Sequence, residues 1–282
     1  MRHHFTIDVE EYFQVAAFQR HVPPRRWPLL ESRVRAQMDV LLELLGRHGA
    51  RATCFVVGWL AERQPDLVRA IARAGHEIAS HGWEHARVTA LTRSQFRDSV
   101  RRSKQVLEEI IGAPIMGYRA PNFSIVRGRE WALDILIEAG YRYDSSLFPV
   151  HRPGYGYRSG CPDPHWIARP AGGLVEIPPT TLEWAGMRLP AAGGAYFRLL
   201  PYRLVRAALR QCERRGVPGV FYVHPWEIDP AQPRIAVPWL TGVRHYGGLH
   251  RTLPRLERLL TEFRFGPISE TMIRHERAST AA

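Results

Sequence analysis

Short apolar runs alternate along most of the chain with longer segments in which apolar residues recur every three or four positions. The short runs are typical of buried β-strands, whereas the longer periodic segments predict amphipathic helices. Repeated alternation of this kind is typical of βα units arranged around a parallel sheet or barrel. The pattern therefore predicts an α/β protein.

The predicted strands are short, and most of them end next to a polar or charged residue. They span residues 6–9, 53–58 and 76–80, a stretch that ends at 118–122, and residues 141–145, 174–177 and 220–224. The predicted helices, several of which stop at a glycine, span 32–48, 65–74, 94–111, 129–139, 201–215 and 249–263. Two segments rich in glycine, proline and aromatic residues, 149–173 and 225–248, lack a regular period and are expected to be ordered loops.

The composition of the chain indicates how many domains it forms and in which cellular compartment it is expected. A chain of 282 residues with 45% hydrophobic content can form one large α/β unit, and no break in composition marks a linker, so a single domain over 1–282 is expected. No apolar run is long enough to span a bilayer, and the polar character of the first residues leads us to expect no signal peptide. Three widely separated cysteines, Cys54, Cys161 and Cys212, suit a reducing compartment. We therefore expect a cytoplasmic protein.

The chain is strongly basic, with a formal net charge of +12. This charge suggests an acidic partner, which could be an anionic glycan, a phospholipid surface or a nucleic acid. The arginines are dispersed, as on solvated helix faces, and no nucleic-acid-binding motif accompanies them. We therefore expect no nucleic-acid partner.

The first candidate for chemistry is the loop from Ser80 to His85. Its two histidines, His81 and His85, are four residues apart, so both imidazoles can point the same way and bind one cation. A third ligand has to come from another segment, and the first predicted strand supplies three candidate carboxylates, which are those of Asp8, Glu10 and Glu11.

The polar residues near the predicted strands are distributed unevenly. In parallel α/β folds, sites form where the carboxyl ends of the strands meet. Polar residues placed by chance would fall at both strand ends, but the candidates here lie at or just past the carboxyl ends: Asp8, Glu10, His81, His85, Arg119, Asp144 and His224. This one-sidedness predicts a common site.

Five short motifs occur in a fixed order and identify a family. They are Thr6-Ile7-Asp8 with a following acid, the Ser80 to His85 loop, Arg119-Ala120-Pro121, Asp144-Ser145-Ser146, and Tyr222-Val223-His224. From about residue 5 to 226 the chain resembles the NodB-homology polysaccharide deacetylases, which form carbohydrate esterase family four. The segments 221–227 and 244–246 further resemble the subgroup associated with exosortase and exopolysaccharide gene clusters.

The resemblance implies a fold and an activity. The fold would be a distorted (β/α) barrel of about seven parallel strands, with a subgroup-specific C-terminal extension at about 225–282. The activity would be the metal-dependent hydrolysis of N-acetyl groups on amino sugars of a polysaccharide or its precursor, in exopolysaccharide biosynthesis. The partner would then be an N-acetylated glycan, without nucleic acid and without stable insertion into a membrane.

The resemblance also implies a metal centre. The ion would be Zn²⁺, or another divalent transition metal such as Co²⁺, Ni²⁺ or Mn²⁺, bound by His81, His85 and a carboxylate. The common first motif has two adjacent aspartates, whereas Val9 follows Asp8 here. Side chains alternate along a strand, so Asp8 and Glu10 share a face, and Glu10 is the expected ligand. If the strand ends early, Glu11 is the alternative ligand.

The remaining motif residues would assist the reaction. Asp8 would be the general base and Arg119 its partner, and His224 would be the general acid that protonates the departing amine. Asp144 would hydrogen-bond the second ring nitrogen of His224. The backbone N–H of Asn122, which stands where the family has a tyrosine, would stabilise the oxyanion.

Several aromatic residues are candidates for stacking on sugar rings, with Trp83 and Trp226 foremost. The others are Phe13, Tyr155, Tyr157 and Tyr246, and for any single one of the set core packing is the simpler interpretation. His245 is a weaker candidate for binding a ligand or the substrate, and it is interpreted as a loop anchor.

Two other functions remain open. The acid at the second position after Asp8 also resembles allantoinase-like and cyclic-imide hydrolases, and assays with ureides or imides would separate them from a deacetylase. A non-catalytic glycan-binding protein on a decayed enzyme fold is the second alternative, and it would bind no metal.

Overall fold

A nine-stranded, mostly parallel sheet forms the centre of the protein in the computed structural model, which describes residues 1–152 and 154–272. Residues 273–282 of the predicted extension lie outside the described residues. The strands of this sheet are β1 (His3–Val9), β2 (Thr53–Val56), β3 (Glu77–Ser80), β4 (Gly117–Tyr118), β5 (Tyr143–Asp144), β6 (His165–Arg169), β7 (Gly172–Glu176), β10 (Val220–Val223) and β11 (Phe265–Gly266). Strands β8 (Thr181–Trp184) and β9 (Met187–Pro190) form a separate hairpin.

Seven strands are parallel neighbours in the order β10-β1-β2-β3-β4-β5-β7, and the antiparallel β6 is added at the edge. The segment after β7 returns to the other end of this row: the Thr180 N–H donates to the Val220 carbonyl at 3.2 Å, and the Tyr222 N–H donates to the Ala192 carbonyl at 2.8 Å. These bonds connect the two ends of the sheet. The fold is therefore the expected distorted barrel.

Strand β1 shows how the sequence positions the site. All seven of its residues are buried, which is typical of a parallel strand that is covered on both faces. Phe5, Ile7 and Val9 belong to the main hydrophobic cluster, where burying each side chain contributes roughly 1.5 to 3 kcal/mol. Thr6 and Asp8 alternate with them and therefore point to the opposite, polar side of the strand.

Helices surround the sheet. They are α1 (Val34–Arg47), α2 (Gly58–Arg63), α3 (Pro65–Arg73), α4 (Arg93–Ile111), α5 (Trp131–Glu138), α6 (Gly194–Leu199), α7 (Tyr202–Arg215), α8 (Trp239–Tyr246) and α9 (Thr252–Glu262). Helix α4 shows why they begin and end where they do. Thr92 and Gln95 form a reciprocal capping box at its start, and Gly112 adopts a left-handed conformation just after its end. No helix among the described residues is long and apolar enough to cross a membrane.

Several elements were absent from the prediction. The expected loop 149–173 contains β6, which pairs with β7 through a turn at Pro170 and Ala171, and φ is +127° at Gly172, the first residue of β7. The expected loop 225–248 contains α8, an eight-residue helix that follows Pro238 and includes Gly242. Helices α2 and α6 and the β8–β9 hairpin were also missed. Each of these elements is too short, or too rich in glycine and proline, for its apolar period to be recognised.

Candidate metal centre and active site

Five of the seven predicted polar residues line one cavity of about 370 Å³ at the carboxyl ends of the strands: Asp8, Glu10, His81, His85 and His224. It is lined by residues from β1 and β10, from the loops that follow β1, β3, β4, β5 and β10, and from α6 and α8. Those with ionisable side chains are Asp8, Glu10, His81, His85, Arg87, Tyr155, Tyr196, Arg198, Tyr222, His224, Arg244 and His245. The convergence agrees with the expectation drawn from the one-sided distribution of these residues.

Glu10, His81 and His85 form a buried cluster in this cavity. Each of the three residues offers one ligand atom, and these atoms lie within 4.8 Å of one another. The loop after β3 turns sharply, with positive φ angles of +73° at Gly82 and +50° at His85, and the centroids of the two imidazole rings lie 5.1 Å apart. The bend therefore returns both rings to the end of β1, where Glu10 follows the last strand residue.

The hydrogen bonding of the cluster fits a cation. Glu10 Oε2, His81 Nε2 and His85 Nδ1 are buried, and none has a hydrogen-bond partner among the described residues. Glu10 Oε2 lies 2.6 Å from His85 Nε2, but this pair does not have hydrogen-bond geometry. Buried polar atoms without partners are rare in proteins, and a divalent cation bound between these residues would satisfy Glu10 Oε2 and His81 Nε2.

The protonation states of the cluster also suit a metal ion. His81 Nδ1 lies 2.8 Å from the Arg119 carbonyl oxygen, which can only accept, so Nδ1 carries the proton and Nε2 keeps its lone pair. Burial lowers the pKa of His81 to about 4, which keeps the ring neutral. Burial alone would raise the pKa of Glu10, but the imidazoles of His85, His224 and His81 outweigh it and lower this pKa to about 2.

The sequence left Glu10 and Glu11 as alternatives for the third ligand, and Glu10 is the one in the cluster. Glu11 points the other way, where it accepts hydrogen bonds from the Ser32 hydroxyl and from the Arg33 N–H, the latter at 3.1 Å. Alternation along the chain separates the two side chains, as expected. The Trp226 indole N–H donates to Glu10 Oε1 at 2.9 Å and so fixes the orientation of the carboxylate.

Asp8 lies beside this cluster and is held by Arg119. One guanidinium nitrogen of Arg119 donates to Asp8 Oδ1 at 2.7 Å and to the Thr6 hydroxyl at 2.8 Å. The other two nitrogens donate to the carbonyl and the hydroxyl of Ser145. Arg119 is fully buried and stacks 4.1 Å from the Phe55 ring centroid, so the orientation of Asp8 is firmly set.

His224 faces both carboxylates from the end of β10. Its Nε2 lies 3.8 Å from Asp8 Oδ2 and 3.8 Å from Glu10 Oε1, and its Nδ1 lies 2.6 Å from Glu227 Oε1. Burial disfavours the protonated ring, but Glu227, Glu10 and Asp8 outweigh it and raise the pKa of His224 to about 9. The imidazole therefore holds a proton at neutral pH.

The predicted contact between Asp144 and His224 is wrong. Asp144 pairs in register with Glu176 on the neighbouring strand β7, and its Oδ1 accepts from the Ser146 hydroxyl at 2.5 Å. Both acids are fully buried and neither lines the cavity. Burial raises the pKa of Asp144 to about 6, and burial and the neighbouring Asp144 raise that of Glu176 well above its usual value. The pair therefore binds a proton of its own near neutral pH.

Glu227 takes the position next to His224 that was expected for Asp144. It lies three residues after His224, in a short turn that begins at Pro225, and its side chain folds back to accept from the His224 N–H at 3.0 Å. Its other oxygen accepts from Arg198 Nε at 2.6 Å. A polar residue followed by proline and then by a glutamate at the third position is the pattern of a capping box, so the sequence did contain a signal for this contact.

Asn122 lines the cavity, as its proposed role requires, and adopts a left-handed conformation with φ of +56°. The next residue, Phe123, has φ of +50°, and His85 is also left-handed. Three of the four non-glycine residues with positive φ among the described residues are therefore in the cavity wall. Backbone strain of this kind is typical of functional sites.

Neither tryptophan presents an open face to a sugar ring. Trp83 is buried away from the cavity, because the turn at Gly82 directs its ring between Gly58 of α2 and Arg102 of α4, whose guanidinium lies 3.5 Å from the ring centroid. The prediction that Trp83 contacts substrate is therefore wrong.

Trp226 lines the cavity but stacks against the rings of His224 and His245, so it supports the site and offers no open platform for a sugar. His245 Nε2 lies 2.9 Å from Gln232 Oε1, and this contact agrees with its interpretation as a loop anchor.

Comparison with known families gives two adjoining matches. The polysaccharide deacetylase profile matches residues 32–143, and a domain of unknown function (DUF3473) matches residues 145–273. The second match includes the segments that resemble the exopolysaccharide-associated subgroup. Neither match includes β1, so Asp8 and Glu10 lie outside both.

Similar sequences include named deacetylases. The chain is 31% identical over 122 residues to the peptidoglycan deacetylase of Helicobacter pylori, covering 43% of this chain and 40% of that protein. It is 31% identical over 114 residues to the chitooligosaccharide deacetylase of Rhizobium leguminosarum bv. trifolii, covering 39% of this chain and 47% of that protein. The matches thus span less than half the length of these relatives.

Similar structures support the fold. A protein from Mycobacterium smegmatis assigned to the polysaccharide deacetylases superimposes with a TM-score of 0.66 at 22% identity, covering 99% of this chain and 92% of that chain. Puue allantoinase superimposes with a TM-score of 0.60 at 19% identity, covering 86% of this chain and 72% of that chain. At these identities the likeness establishes the architecture alone.

Proposed function

We propose that this chain, whose residues 32–143 match the polysaccharide deacetylase profile, is a metal-dependent hydrolase that removes N-acetyl groups from amino sugars of a polysaccharide or its precursor. The observation that carries the proposal is the convergence, in one cavity, of a buried N₂O ligand set with Asp8 and His224.

Glu10, His81 and His85 would hold the ion. Two imidazoles and one carboxylate suit Zn²⁺ and also Co²⁺, Ni²⁺ or Mn²⁺. When bound, such an ion lowers the pKa of water and polarises a carbonyl oxygen. The Arg119 carbonyl and the Trp226 indole fix the orientation of His81 and Glu10 for this purpose.

Asp8 acts as the general base in this proposal. Arg119 holds its Oδ1, and its Oδ2 lies at the cavity near His224. This oxygen accepts a proton from the water that attacks the acetyl carbonyl carbon. The Asn122 N–H is the proposed donor to the oxygen of that carbonyl as negative charge develops on it.

His224 acts as the general acid. Its Nδ1 bonds to Glu227, so the proton available to substrate is on Nε2, which faces the cavity. As the carbon–nitrogen bond breaks, this proton passes to the departing amine, and acetate and the free amino sugar are released. The raised pKa of His224 keeps the acid form populated at neutral pH.

The cellular role and location are also proposals. Participation in exopolysaccharide biosynthesis is supported by the resemblance of segments 221–227 and 244–246 to that subgroup. A cytoplasmic location is supported by three cysteines, all free in the structure.

The test combines metal analysis with acetate release from N-acetylglucosamine oligomers. We expect about one divalent ion per chain. Replacement of His81 by Ala should remove both the ion and the activity, whereas Asp8→Ala and His224→Ala should abolish acetate release. His21→Ala, which changes an exposed histidine, is the control and should behave as the unchanged protein. Unchanged turnover in the His81 variant would sink the proposal.

Hydrolysis of ureides is the second candidate, because Glu10 occupies the second position after Asp8 and joins the ligand cluster. Assay of the same protein with allantoin and cyclic imides separates the two activities. A non-catalytic glycan-binding protein would release no acetate and bind no ion. The chain keeps the ligand set together with Asp8 and His224, and this argues against such a protein.

A further inference from the structure

Large exposed apolar side chains are concentrated on α8 and at the end of α6. Trp239 and Leu240 on α8 are 75% and 72% exposed, and Val243 is also exposed. Leu199 and Leu200, which end and follow α6, are exposed as well. We call these five residues the apolar ridge.

The apolar ridge is next to the active-site cavity. Thr241, Arg244 and His245 of the same helix α8 line the cavity. The end of α6 adjoins the end of α8, because a Cβ atom added to Gly247 would lie 3.0 Å from Leu199 Cδ2. Whatever covers the ridge is therefore also adjacent to the cavity.

The chain segments that carry the ridge are purely basic. Residues 184–212 contain five arginines and residues 230–256 contain four, and neither segment contains an aspartate or a glutamate. Arg234, Arg244 and Arg251 are exposed and have no carboxylate partner within the described part of the chain. Such a surface complements negative charge.

We propose that this face is a docking surface for an anionic lipid bilayer. A short helix that displays tryptophan and aliphatic residues beside unpaired arginines matches the interfacial helices that lie in the headgroup region of membranes. Trp239, Leu240 and Val243 enter the boundary between headgroups and acyl chains. The guanidinium groups of Arg234, Arg244 and Arg251 contact the phosphates.

A bilayer fits this face better than a second copy of the chain. A stable protein interface buries about 800 Å² on each partner, whereas the ridge comprises five side chains along one short helix and one helix end. Two copies would also bring like-charged arginines together. The combination of a narrow apolar ridge with unpaired cations favours phospholipid.

One consequence of the proposal rests on the proposed function. With α8 on the bilayer, the cavity opens beside the headgroups, so the N-acetylated glycan reaches it from a lipid-anchored chain. Vesicle binding is independent of turnover, so the failure of one proposal can be told from the failure of the other.

The test is flotation of the full chain with vesicles of phosphatidylcholine alone and with vesicles that also contain phosphatidylglycerol. We expect binding to the anionic vesicles only, weakened by high salt. The double change Trp239→Ser and Leu240→Ser should weaken binding about tenfold or more. Arg244→Gln should weaken it about fivefold, the equivalent of about 1 kcal/mol for one cation at the surface.

Trp166→Ser is the matched control, because Trp166 is 63% exposed but lies on β6 outside the cavity wall. It should leave vesicle binding unchanged. The double variant should keep the thermal unfolding curve of the unchanged protein, which excludes misfolding as the cause of lost binding.

Absence of binding to anionic vesicles would overturn the proposal, as would unchanged binding by the double variant. A dimer that Trp239→Ser dissociates, in a protein that does not float with vesicles, would instead assign the ridge to self-association and also overturn it.

Discussion

Glu227, which follows β10, and Asp144, which ends β5, are both fully buried carboxylates, yet their surroundings are opposite. Glu227 lies between Arg198 and His224, whose charges outweigh burial and lower its pKa. Asp144 lies against another carboxylate, that of Glu176, and its pKa is raised to about 6. The contrast shows that the neighbour of a buried acid, more than its burial, decides whether it can support a protonated histidine.

The largest expected effect comes from removing the cation beside Glu227. Arg198→Met would remove the guanidinium beside the buried Glu227 carboxylate and would leave the carbonyls of Arg244, His245 and Gly247 without the donor that Arg198 supplies. We expect the free energy of unfolding to fall by about 3 to 5 kcal/mol, measured by denaturant unfolding. Arg206→Met, which breaks an ion pair of a half-exposed arginine, should cost less than about 1 kcal/mol. Equal losses in the two variants would contradict the argument.

Removing the charge of Glu227 tests its effect on His224 directly. Glu227→Gln should lower kcat/KM for acetate release by about 10- to 100-fold. The alkaline limb of the pH profile, expected near pH 9, should move toward the ordinary imidazole pKa of 6.5. Because the folded pKa of His224 is raised, its contribution to stability is complete below 6.5 and is lost as the pH rises through about 9. Glu183→Gln, at an exposed position of β8, is the control, and an unmoved limb in Glu227→Gln would refute the assignment.

The Asp144–Glu176 pair should limit stability at alkaline pH. Both carboxyl groups have raised pKa values, so the folded state binds extra protons and loses stability as the pH rises through about 6. Glu176→Gln replaces the shared proton with a permanent N–H donor and should stabilise the protein by roughly 1 to 2 kcal/mol at about pH 8. Thermal unfolding across the pH range measures this gain, which should vanish in acid. A gain that does not depend on pH would contradict the shared proton.

The smallest expected effect is the change at Asp144 itself. Asp144→Asn should alter kcat/KM less than about threefold, because Asp144 does not contact His224. The same acetate assay used for Glu227→Gln provides the comparison. A loss as large as that of Glu227→Gln would restore the role that the motif implied.

The sequence predicted the side of the cavity formed by Glu10, His81 and His85 more accurately than the His224 side. Strand alternation is a strict rule, so the choice of Glu10 over Glu11 followed once β1 was recognised. Two histidines four residues apart needed only a bend at Gly82 to meet Glu10.

The same bend at Gly82 directed Trp83 away from the cavity, and no periodic pattern reports such a turn. The partner of His224 depended on a turn of four residues after β10, where the capping pattern at Pro225 and Glu227 was present but was not recognised. Helix α8 was missed for a related reason, since Gly242 and the preceding Pro238 obscure its apolar face. Long-range register follows from strand pattern, whereas loop contacts depend on single backbone angles.

The parallel pairing of β5 with β7, in which Tyr143 lies opposite Val175, makes the two matched regions interdependent. A fragment that ended at residue 144 would lack β7 and β10, and β1 and β5 would each present an unpaired row of backbone groups. Exposed edges of this kind promote aggregation. Attempts to produce the two halves as separate polypeptides should therefore yield insoluble material, and co-expression of both pieces would be needed to recover the closed sheet.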